Sequence, residues 1–253
     1  MDTLFTGHNL IELSDCPSVN SHAIELLKSV NLAEGTVIFT TNQTAGRGQR
    51  GARWYSDTGK NVTMSLILFP RFLDLKDSFQ LSKIVSLGVY DFLSVNLPKA
   101  VNIKIKWPND IVADGKKICG ILIENILRDN RLNASIIGIG LNVNQEFFPE
   151  EIPNAISMKQ LNFEDYDCIT VIREMCRSIE KWYLMLRRGE RSEIDFNYHN
   201  LLHLLDKEHE FTIKGNEQLH FGRIKGVDPA GRLMVCGSDD GQLQFFNVRE
   251  IKF

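Results

Sequence analysis

Apolar and polar residues alternate along this chain with two different periods, and each period predicts a different kind of element. Alternation at every second residue predicts half-buried strands, whereas apolar residues spaced at helical intervals predict helices. Residues 77–96 form the clearest helix, because Phe79, Ile84 and Leu87 fall within one broad apolar stripe. Pro98 lies just beyond this stripe and ends the helix.

The other predicted elements follow the same patterns. Strands are predicted over residues 8–13, 36–41, 62–69, 102–107, 111–113, 117–127 and 132–143, and helices over 17–30, 167–188 and 193–204. Asp114-Gly115 and Asp129-Asn130 are turn sequences typical of hairpins. Hairpins in series predict an α+β fold in which helices flank a mixed, largely antiparallel sheet.

The pattern changes after residue 206. Four short strands are predicted near residues 210–214, 219–227, 231–236 and 242–248. Short segments rich in glycine, asparagine, aspartate or proline separate them, which is typical of tight turns. We therefore predict two domains, a main domain over residues 1–206 and a small C-terminal β-barrel domain over residues 207–253.

Composition limits the possible functions. The chain has 253 residues, of which 24% are charged and 43% hydrophobic, as in an ordinary globular protein. Its formal net charge of −3 argues against general nucleic-acid binding. Five scattered cysteines without a C-x-x-C pair indicate neither a zinc site nor a disulfide framework. No signal peptide or membrane-spanning stretch is visible, so we expect a cytoplasmic protein with no membrane partner.

Residues 46–56 carry the strongest chemical signal. The glycines Gly46, Gly48 and Gly51 let the backbone turn tightly, and the arginines Arg47, Arg50 and Arg53 supply forked cationic donors. Trp54 adds a flat aromatic face, and no acidic residue precedes Asp57 in this segment. We expect this loop to hold a polyanionic ligand and to be mobile until that ligand binds. The alternatives are a solvated turn or an unstructured nucleic-acid contact.

Two strand segments place polar residues where a ligand could reach them. In residues 104–110, Pro108 ends the strand, so Asn109 and Asp110 lie at a bend and can point into a cleft. The alternative is an edge strand with a solvated lysine face and a simple turn. The second segment, residues 138–144, is a glycine-bearing strand with an asparagine, Asn142, near its end.

Lys117, at the start of the strand predicted over residues 117–127, is another candidate site residue. Simple alternation groups it with Cys119, Ile121 and Ile123, so it either extends to solvent from the strand end or points into a site. Gly120, inside the same strand, favours close approach of a ligand to the backbone.

Together these residues resemble the biotin protein ligase family. The matching segments are residues 46–54, 106–110, 117–124 and 138–142, and the likeness continues through residues 222–231, so that it covers nearly the whole chain. The resemblance implies that residues 1–206 are a biotin/lipoate-ligase-like catalytic domain. It implies a reaction in which biotin and ATP, with Mg²⁺, form biotinyl-5′-AMP. A lysine of a biotin carboxyl carrier protein or domain of acetyl-CoA carboxylase or a related carboxylase then takes the biotinyl group.

The resemblance also assigns roles to individual residues. It implies that Lys117, Arg47 and Asp110 are catalytic and that Asp110 is a ligand of, or lies close to, Mg²⁺. The implied biotin-binding residues are Ser18, Val19, Asn20, Gln43, Gly46, Arg47, Lys117 and Gly120. The implied ATP- and adenylate-binding residues are Arg47, Gly48, Gln49, Arg50, Trp54, Asn109, Lys117 and Asn142.

Two positions depart from the family pattern. Val19 stands where relatives carry a hydroxyl residue, so Ser18, Asn20 and Gln43 have to supply more of the recognition of the biotin ring. Gln49 stands where many relatives carry arginine, which bears on how firmly the adenylate is held.

Three alternatives remain open from the sequence. A lipoate ligase or octanoyltransferase shares the architecture but generally lacks the segments at 46–51 and 106–110 in this form. A bifunctional ligase and repressor would carry a helix-turn-helix domain ahead of the ligase, and the ligase elements here begin almost at once. A pure binding module would require an inert Lys117. We expect no DNA partner and either a monomer or a homodimer.

Overall fold

The computed structural model describes residues 3–238 and 241–253, with the side chains of Arg50, Asn216 and Glu217 outside the described part. Seven strands form the main sheet: β1 (Leu10–Cys16), β2 (Val37–Gln43), β3 (Val62–Leu68), β4 (Ile103–Lys106), β5 (Asp110–Ala113), β6 (Lys116–Arg128) and β7 (Arg131–Leu141). Their order across the sheet is β1-β2-β3-β7-β6-β5-β4. Only the β1–β2 pairing is parallel, and every other pairing in this sheet is antiparallel. The predicted α+β fold with a mixed, largely antiparallel sheet is confirmed.

Two hairpins have the turn residues that the sequence indicated. Asp114 and Gly115 join β5 to β6, and both have positive φ, 49° and 79°. Asp129 and Asn130 join β6 to β7 with φ of 52° and 59°. These left-handed conformations match the right-handed twist of the paired strands and fix their register.

Helices cover both faces of the main sheet. They are α1 (Val19–Ser29), α2 (Phe79–Asn96), α3 (Met158–Asn162), α4 (Cys168–Arg187) and α5 (Arg191–Asn200). Helices α2 and α4 pack on one face over the large core, whereas α1 packs on the other face over a smaller cluster with Ile38, Ile67 and Ile136. Helices α2 and α4 approach closely at Gly88, where a methyl group would lie 2.6 Å from Ile179 Cα.

Successive residues of β7, in the strand pair β6–β7, point alternately to these two faces of the sheet. Ile137, Ile139 and Leu141 point into the large core, while the intervening Gly138 and Gly140 face the α1 side. The glycines leave a shallow, backbone-lined floor on that face, since nothing larger than hydrogen projects from them. This floor is where the candidate site lies.

The C-terminal strands form a second sheet. They are β8 (Glu208–Ile213), β9 (Asn216–Val227), β10 (Leu233–Gly237), β11 (Leu243–Phe246) and β12 (Ile251–Lys252), in the order β11-β10-β9-β8-β12. All pairings are antiparallel, and no ladder between β11 and β12 is found among the residues described. The expected C-terminal antiparallel strands are confirmed, whereas their separation as a domain at residue 206 and their closure into a barrel stay predictions.

Element boundaries differ from expectation at a few places. The last long helix ends at Asn200 rather than at Leu204, and the short α3 was not predicted. Ser157 caps α3 with its side chain and Gln160 caps Ser157 in return, so a capping box forms this helix without a long apolar stripe. Within the ranges described, no helix is both long and apolar enough to cross a membrane.

Candidate functional site

A cavity of about 200 Å³ lies on the glycine floor of β6–β7, under the segment 46–54. Its lining brings together most of the residues that the sequence analysis selected: Ser18, Val19, Asn20, Gln43, Arg47, Gly48, Gln49, Trp54, Asn109, Asp110, Lys117 and Gly120. These residues come from the start of α1, the end of β2, the loop, β5 and β6. Residues far apart in the sequence therefore meet at one site.

The segment 46–54 covers this cavity as a small hairpin. Trp54 N donates to the Gly46 carbonyl (3.0 Å), and Gly48 N donates to the Ala52 carbonyl (2.7 Å). Gln49–Gly51 form a single 3₁₀ turn at the tip. The side chain of Arg50 lies outside the described residues, and the mobility of the loop stays a prediction.

Trp54 lies flat on the glycine floor. A methyl group at Gly140 would lie 2.6 Å from Trp54 Cζ2, and one at Gly120 would lie 3.1 Å from Trp54 Cζ3. The indole Nε1 is buried and has no hydrogen-bond partner in the described part of the chain. A buried donor without a partner costs free energy, so a ligand oxygen in this cavity would gain by accepting from it.

Lys117 reaches the same floor because β6 contains a bulge. Ile111 pairs with Cys119 and Val112 with Lys117, so Ile118 is an extra residue in the ladder. The bulge shifts the alternation by one residue. The predicted grouping of Lys117 with Cys119, Ile121 and Ile123 is therefore wrong: Lys117 Nζ lies on the side of Gly120, where a methyl group would be 3.3 Å from it.

Asp110 is the anionic partner of Lys117. Lys117 Nζ lies 2.8 Å from Asp110 Oδ1. The contact is an ion pair whose angles do not meet the geometry of a hydrogen bond. Lys117 Nζ also lies 5.7 Å from the ring centroid of Trp54. Asp110 and the aromatic face hold the ammonium group in the cavity, where a negatively charged ligand can meet it.

Asn109 has a structural contact as well as a place in the cavity lining. Its Nδ2 donates to the Ile121 carbonyl (2.6 Å), and its own carbonyl accepts from Ile121 N (2.9 Å). These bonds tie the bend after β4 to β6. They fix the position of the neighbouring Asp110.

The first residues of α1 form one wall of the cavity. Ser18 caps the helix by accepting from Ser21 N (3.4 Å), and Val19 N donates to Gln43 Oε1 (2.9 Å). Asn20 is buried, and a methyl group at Gly138 would lie 2.8 Å from its Cγ. Asn20 Oδ1 accepts from Ser65 Oγ (2.5 Å), so the orientation of its amide is fixed.

Arg47 has an acidic partner that the local sequence did not show. Its Nη2 lies 3.1 Å and 2.9 Å from the two carboxylate oxygens of Glu124, and its Nε donates to Ser18 Oγ (3.4 Å). Glu124 was not among the candidate site residues, although it ends the segment 117–124 that carries Lys117 and Gly120. Alternation with Gly120 and Leu122 could have placed it on the cavity side of β6.

A second cavity, of about 280 Å³, adjoins the first. Lys117 and Trp54 line both cavities, and Asn142 lines the second. Arg53, Tyr55, Phe148 and residues 151–155 complete its lining, and neither Phe148 nor residues 151–155 could be selected from the sequence. Ile156 N donates to the Lys117 carbonyl (3.0 Å), and Lys117 N donates to the Asn154 carbonyl (2.7 Å), so this segment runs beside the start of β6.

Asn142 holds this second segment in place. Its Nδ2 donates to the Ile156 carbonyl (3.0 Å), and its side chain is almost completely buried. Because Asn142 and the neighbouring residues 151–155 border the second cavity, Asn142 shapes that cavity and has little surface of its own for a ligand.

Gly46 stands at the base of the hairpin, where a methyl group would lie 2.7 Å from Gln43 Nε2. A side chain here would displace Gln43, which in turn holds the start of α1. The absence of a side chain at Gly46 therefore lets the loop pass close to Gln43.

The carboxylates and the thiol at the site limit its possible chemistry. No group of three or more His, Cys, Asp or Glu that could hold a metal is found in the described ranges, and Asp110 is the one carboxylate in the lining of the first cavity. Nucleotide-bound Mg²⁺ needs only one or two protein carboxylates, so this lining fits a cation that enters with ATP. Burial raises the pKa of Cys119 far above its ordinary value, so its thiol stays protonated beneath the site.

The fold and this site are typical of one class of ligases. The sequence model of the "Biotin/lipoate A/B protein ligase family" matches residues 16–142. The chain belongs to this family. It is therefore an enzyme of the ligase class.

The chain is similar to several biotin protein ligases. The bifunctional ligase/repressor BirA of Bacillus spizizenii is 37% identical over 246 residues, which are 93% of this chain and 71% of that protein. A biotin–[acetyl-CoA-carboxylase] ligase of Paracoccus denitrificans is 34% identical over 131 residues, which are 52% of this chain and 53% of that protein. The biotin protein ligase of Aquifex aeolicus in complex with biotin and ATP aligns with a TM-score of 0.77 at 27% identity, covering 97% of this chain and 98% of that one.

Proposed function

We propose that this enzyme activates biotin with ATP as biotinyl-5′-AMP and transfers the biotinyl group to one lysine of a biotin carboxyl carrier protein. The observation that carries the proposal is the position of Lys117, which lines both adjoining cavities. Biotin would occupy the first cavity and the nucleotide the second. Its carboxylate and the α-phosphate would then meet at Lys117.

The first step joins two anions. A biotin carboxylate oxygen attacks the α-phosphorus of ATP, the bond to the β-phosphate oxygen breaks, and pyrophosphate leaves. Negative charge builds on the α-phosphoryl oxygens, so fixed cations placed beforehand at this point lower the barrier. Lys117 and Arg47 supply two cations, and Trp54 Nε1 supplies a buried donor. Mg²⁺, held in part by Asp110, would offset the charge of the triphosphate.

The second step needs a neutral amine. The amine of the carrier lysine attacks the mixed anhydride carbonyl, AMP leaves, and the amine loses a proton as the amide forms. Asp110 lies 2.8 Å from Lys117 Nζ and is the nearest candidate to accept a hydrogen bond from the incoming amine. The hairpin 46–54 would exclude water from the anhydride.

Recognition of the biotin ring falls to the other wall of the first cavity. Ser18, Asn20 and Gln43 provide polar atoms there, Val19 provides an apolar surface, and Gly120 allows close approach, while Gly46 acts through the position of Gln43. Besides Arg47, Trp54 and Lys117, the residues assigned to the nucleotide are Gly48, Gln49, Arg50, Asn109 and Asn142. Gly48, Gln49 and Asn109 line the first cavity, at the side where the two ligands would meet, and Asn142 lines the second. For Asn109 and Asn142 the side-chain contacts described above support an indirect role, through the shape of the site.

The partner we propose is a folded carrier domain of acetyl-CoA carboxylase or a related carboxylase, in the cytoplasm. The relatives named as bifunctional repressors make DNA the alternative partner. Since the net charge is −3, we predict no tight operator binding. Salt-resistant binding to a specific duplex would contradict this prediction.

The experiment combines the protein with ATP, Mg²⁺, biotin and a biotin carboxyl carrier domain, and follows the mass of the carrier. We expect one biotinyl addition on one lysine. Lipoate or octanoate in place of biotin is the control for the other activity of this family. A carrier that gains lipoyl but not biotinyl would contradict the proposal.

A further inference from the structure

Glu124 lies at the mouth of the first cavity, on the cavity side of β6. Gly120, Leu122 and Glu124 alternate along this side of the strand, and Glu124 borders the space outside the hairpin 46–54. Its side chain is 28% exposed, compared with 45% for Arg47, so the carboxylate is the more enclosed partner of their ion pair. The more enclosed end of the pair is therefore on the sheet.

Glu124 is itself held by α1. Asn20 Nδ2 donates to Glu124 Oε2 (2.9 Å) and also to the Leu122 carbonyl (3.2 Å). Ser65 Oγ donates to Asn20 Oδ1 (2.5 Å). Because Asn20 is buried and bonded at both ends of its amide, the carboxylate that it contacts has a fixed position.

Arg47 closes this set of contacts. Its Nη2 bonds to both oxygens of Glu124, and its Nε donates to Ser18 Oγ (3.4 Å), two residues before Asn20. The hairpin, α1 and β6 are thus joined at one carboxylate. Arg47 is the one member of this set that belongs to the hairpin.

We propose that Glu124 is a positioning residue that holds the guanidinium of Arg47 at the mouth of the first cavity before the ligand binds. This inference rests on the proposed function. A long arginine side chain on a glycine-rich loop loses much rotational freedom when it orders. The ion pair with Glu124 orders this side chain in the free protein. The carboxylate or phosphate of the ligand then meets an ordered guanidinium, whose Nη1 takes no part in the contacts to Glu124 and Ser18.

The test is a double-mutant cycle on biotin binding. The four proteins are the wild type, Glu124→Gln, Arg47→Met and the double variant, and the measurement is the biotin Kd by calorimetry together with the kcat and KM of biotin-dependent pyrophosphate exchange. Glutamine keeps the size of the side chain and an oxygen for Asn20, but it removes the charge that holds Arg47. We expect Glu124→Gln to raise the biotin Kd about tenfold when Arg47 is present and less than about twofold when it is methionine.

Two controls make the result decisive. Glu208→Gln on β8 removes a strand glutamate that also lies near an arginine, Arg223 at 3.8 Å, and should leave the Kd unchanged. Glu124→Asp keeps the charge but shortens the side chain, so it should give an intermediate Kd. This variant also provides the answer if Glu124→Gln does not fold.

The outcomes separate the two proposals. A wild-type protein that binds biotin, with a Glu124→Gln loss of equal size on both Arg47 backgrounds, overturns the positioning role and leaves the proposed function standing. The same holds if the Glu124→Asp and Glu124→Gln curves superimpose on the wild type. A wild-type protein without biotin-dependent exchange overturns both proposals.

Discussion

The two faces of the strand pair β6–β7 use the same backbone for different purposes. On the face toward α2 and α4, Ile137, Ile139 and Leu141 are buried in the large core. On the other face, Gly138 and Gly140 leave room for Asn20 and Trp54. Large side chains stabilise the first face through burial, whereas the second face is useful because its side chains are absent.

From this comparison we expect the glycines of the site face to cost little stability. A strand glycine loses packing and conformational entropy. Here the lost contacts are replaced by side chains that arrive from α1 and from the hairpin 46–54. Substitutions on the core face should therefore change stability, and substitutions on the site face should change activity.

The largest effect is expected on the site face, at Lys117. Lys117→Ala removes a cation that lies 2.8 Å from Asp110 and lines both cavities. Loss of one preorganised charge typically lowers the rate about 10²–10³-fold, so biotin-dependent pyrophosphate exchange should fall by this factor. The melting temperature should change little, because Lys117 is partly exposed. Exchange within a few-fold of the wild type would show that Lys117 has no part in the chemistry.

The next largest effect is expected on the core face. Ile137→Ala leaves a cavity among fully buried side chains and should lower the free energy of unfolding by about 2–5 kcal/mol. Denaturant titration measures this change, and Ile137→Val is the graded control. Activity per folded molecule should stay near that of the wild type. A large fall in kcat with full folding would mean that the two faces are coupled.

A third region tests stability alone, at Glu180 on α4. The carboxylate accepts hydrogen bonds from Leu4 N, Phe5 N and Thr6 N and from the Thr6 hydroxyl. Burial by itself would raise the pKa of Glu180, but these donors outweigh it, so the pKa lies below its usual 4.5. Glu180→Gln should cost about 2 kcal/mol of unfolding free energy near neutral pH, because the amide is a weaker acceptor than the carboxylate.

The pH dependence of this effect has a definite sign. A carboxyl group with a lowered pKa in the folded protein stabilises the fold above its unfolded pKa, and this stabilisation is lost as the pH falls. The difference in unfolding free energy between wild type and Glu180→Gln should therefore shrink as the pH falls through and below 4.5. Glu174→Gln, on the same helix, is the control. A difference that stayed constant down to the acid transition would contradict the assignment.

The smallest effect is expected at Gly140. Gly140→Ala places a methyl group 2.6 Å from Trp54 Cζ2, so the indole has to move away from the floor. We expect kcat/KM for biotin to fall about tenfold, which is less than the ~100-fold that a displacement of an ångström can cost. The melting temperature should move little. Unchanged kinetics would show that the position of Trp54 in the free protein does not matter for the reaction.

Much of this molecule follows from local sequence. The hairpin turns at Asp114-Gly115 and Asp129-Asn130 and the boundaries of α2 were predicted because turn residues and apolar periods act over a few neighbours. Most of the residues selected for the site line one cavity. They could be selected because motifs of the biotin protein ligases occur in this chain in the same order and with the same spacing. Their individual roles stay predictions.

Three features were decided only by tertiary structure. The bulge at Ile118 turned Lys117 to the side of Gly120, and period-two alternation has no way to include one extra residue in a ladder. Glu124 meets Arg47 from a position 77 residues away, so no local pattern could show that the arginines of the loop have an acidic partner. The second cavity depends on the segment before α3, which hydrogen bonds to Lys117 and Asn142 hold in place. Local sequence determines which elements form and which residues have reactive groups, whereas long-range pairing determines which of these groups meet.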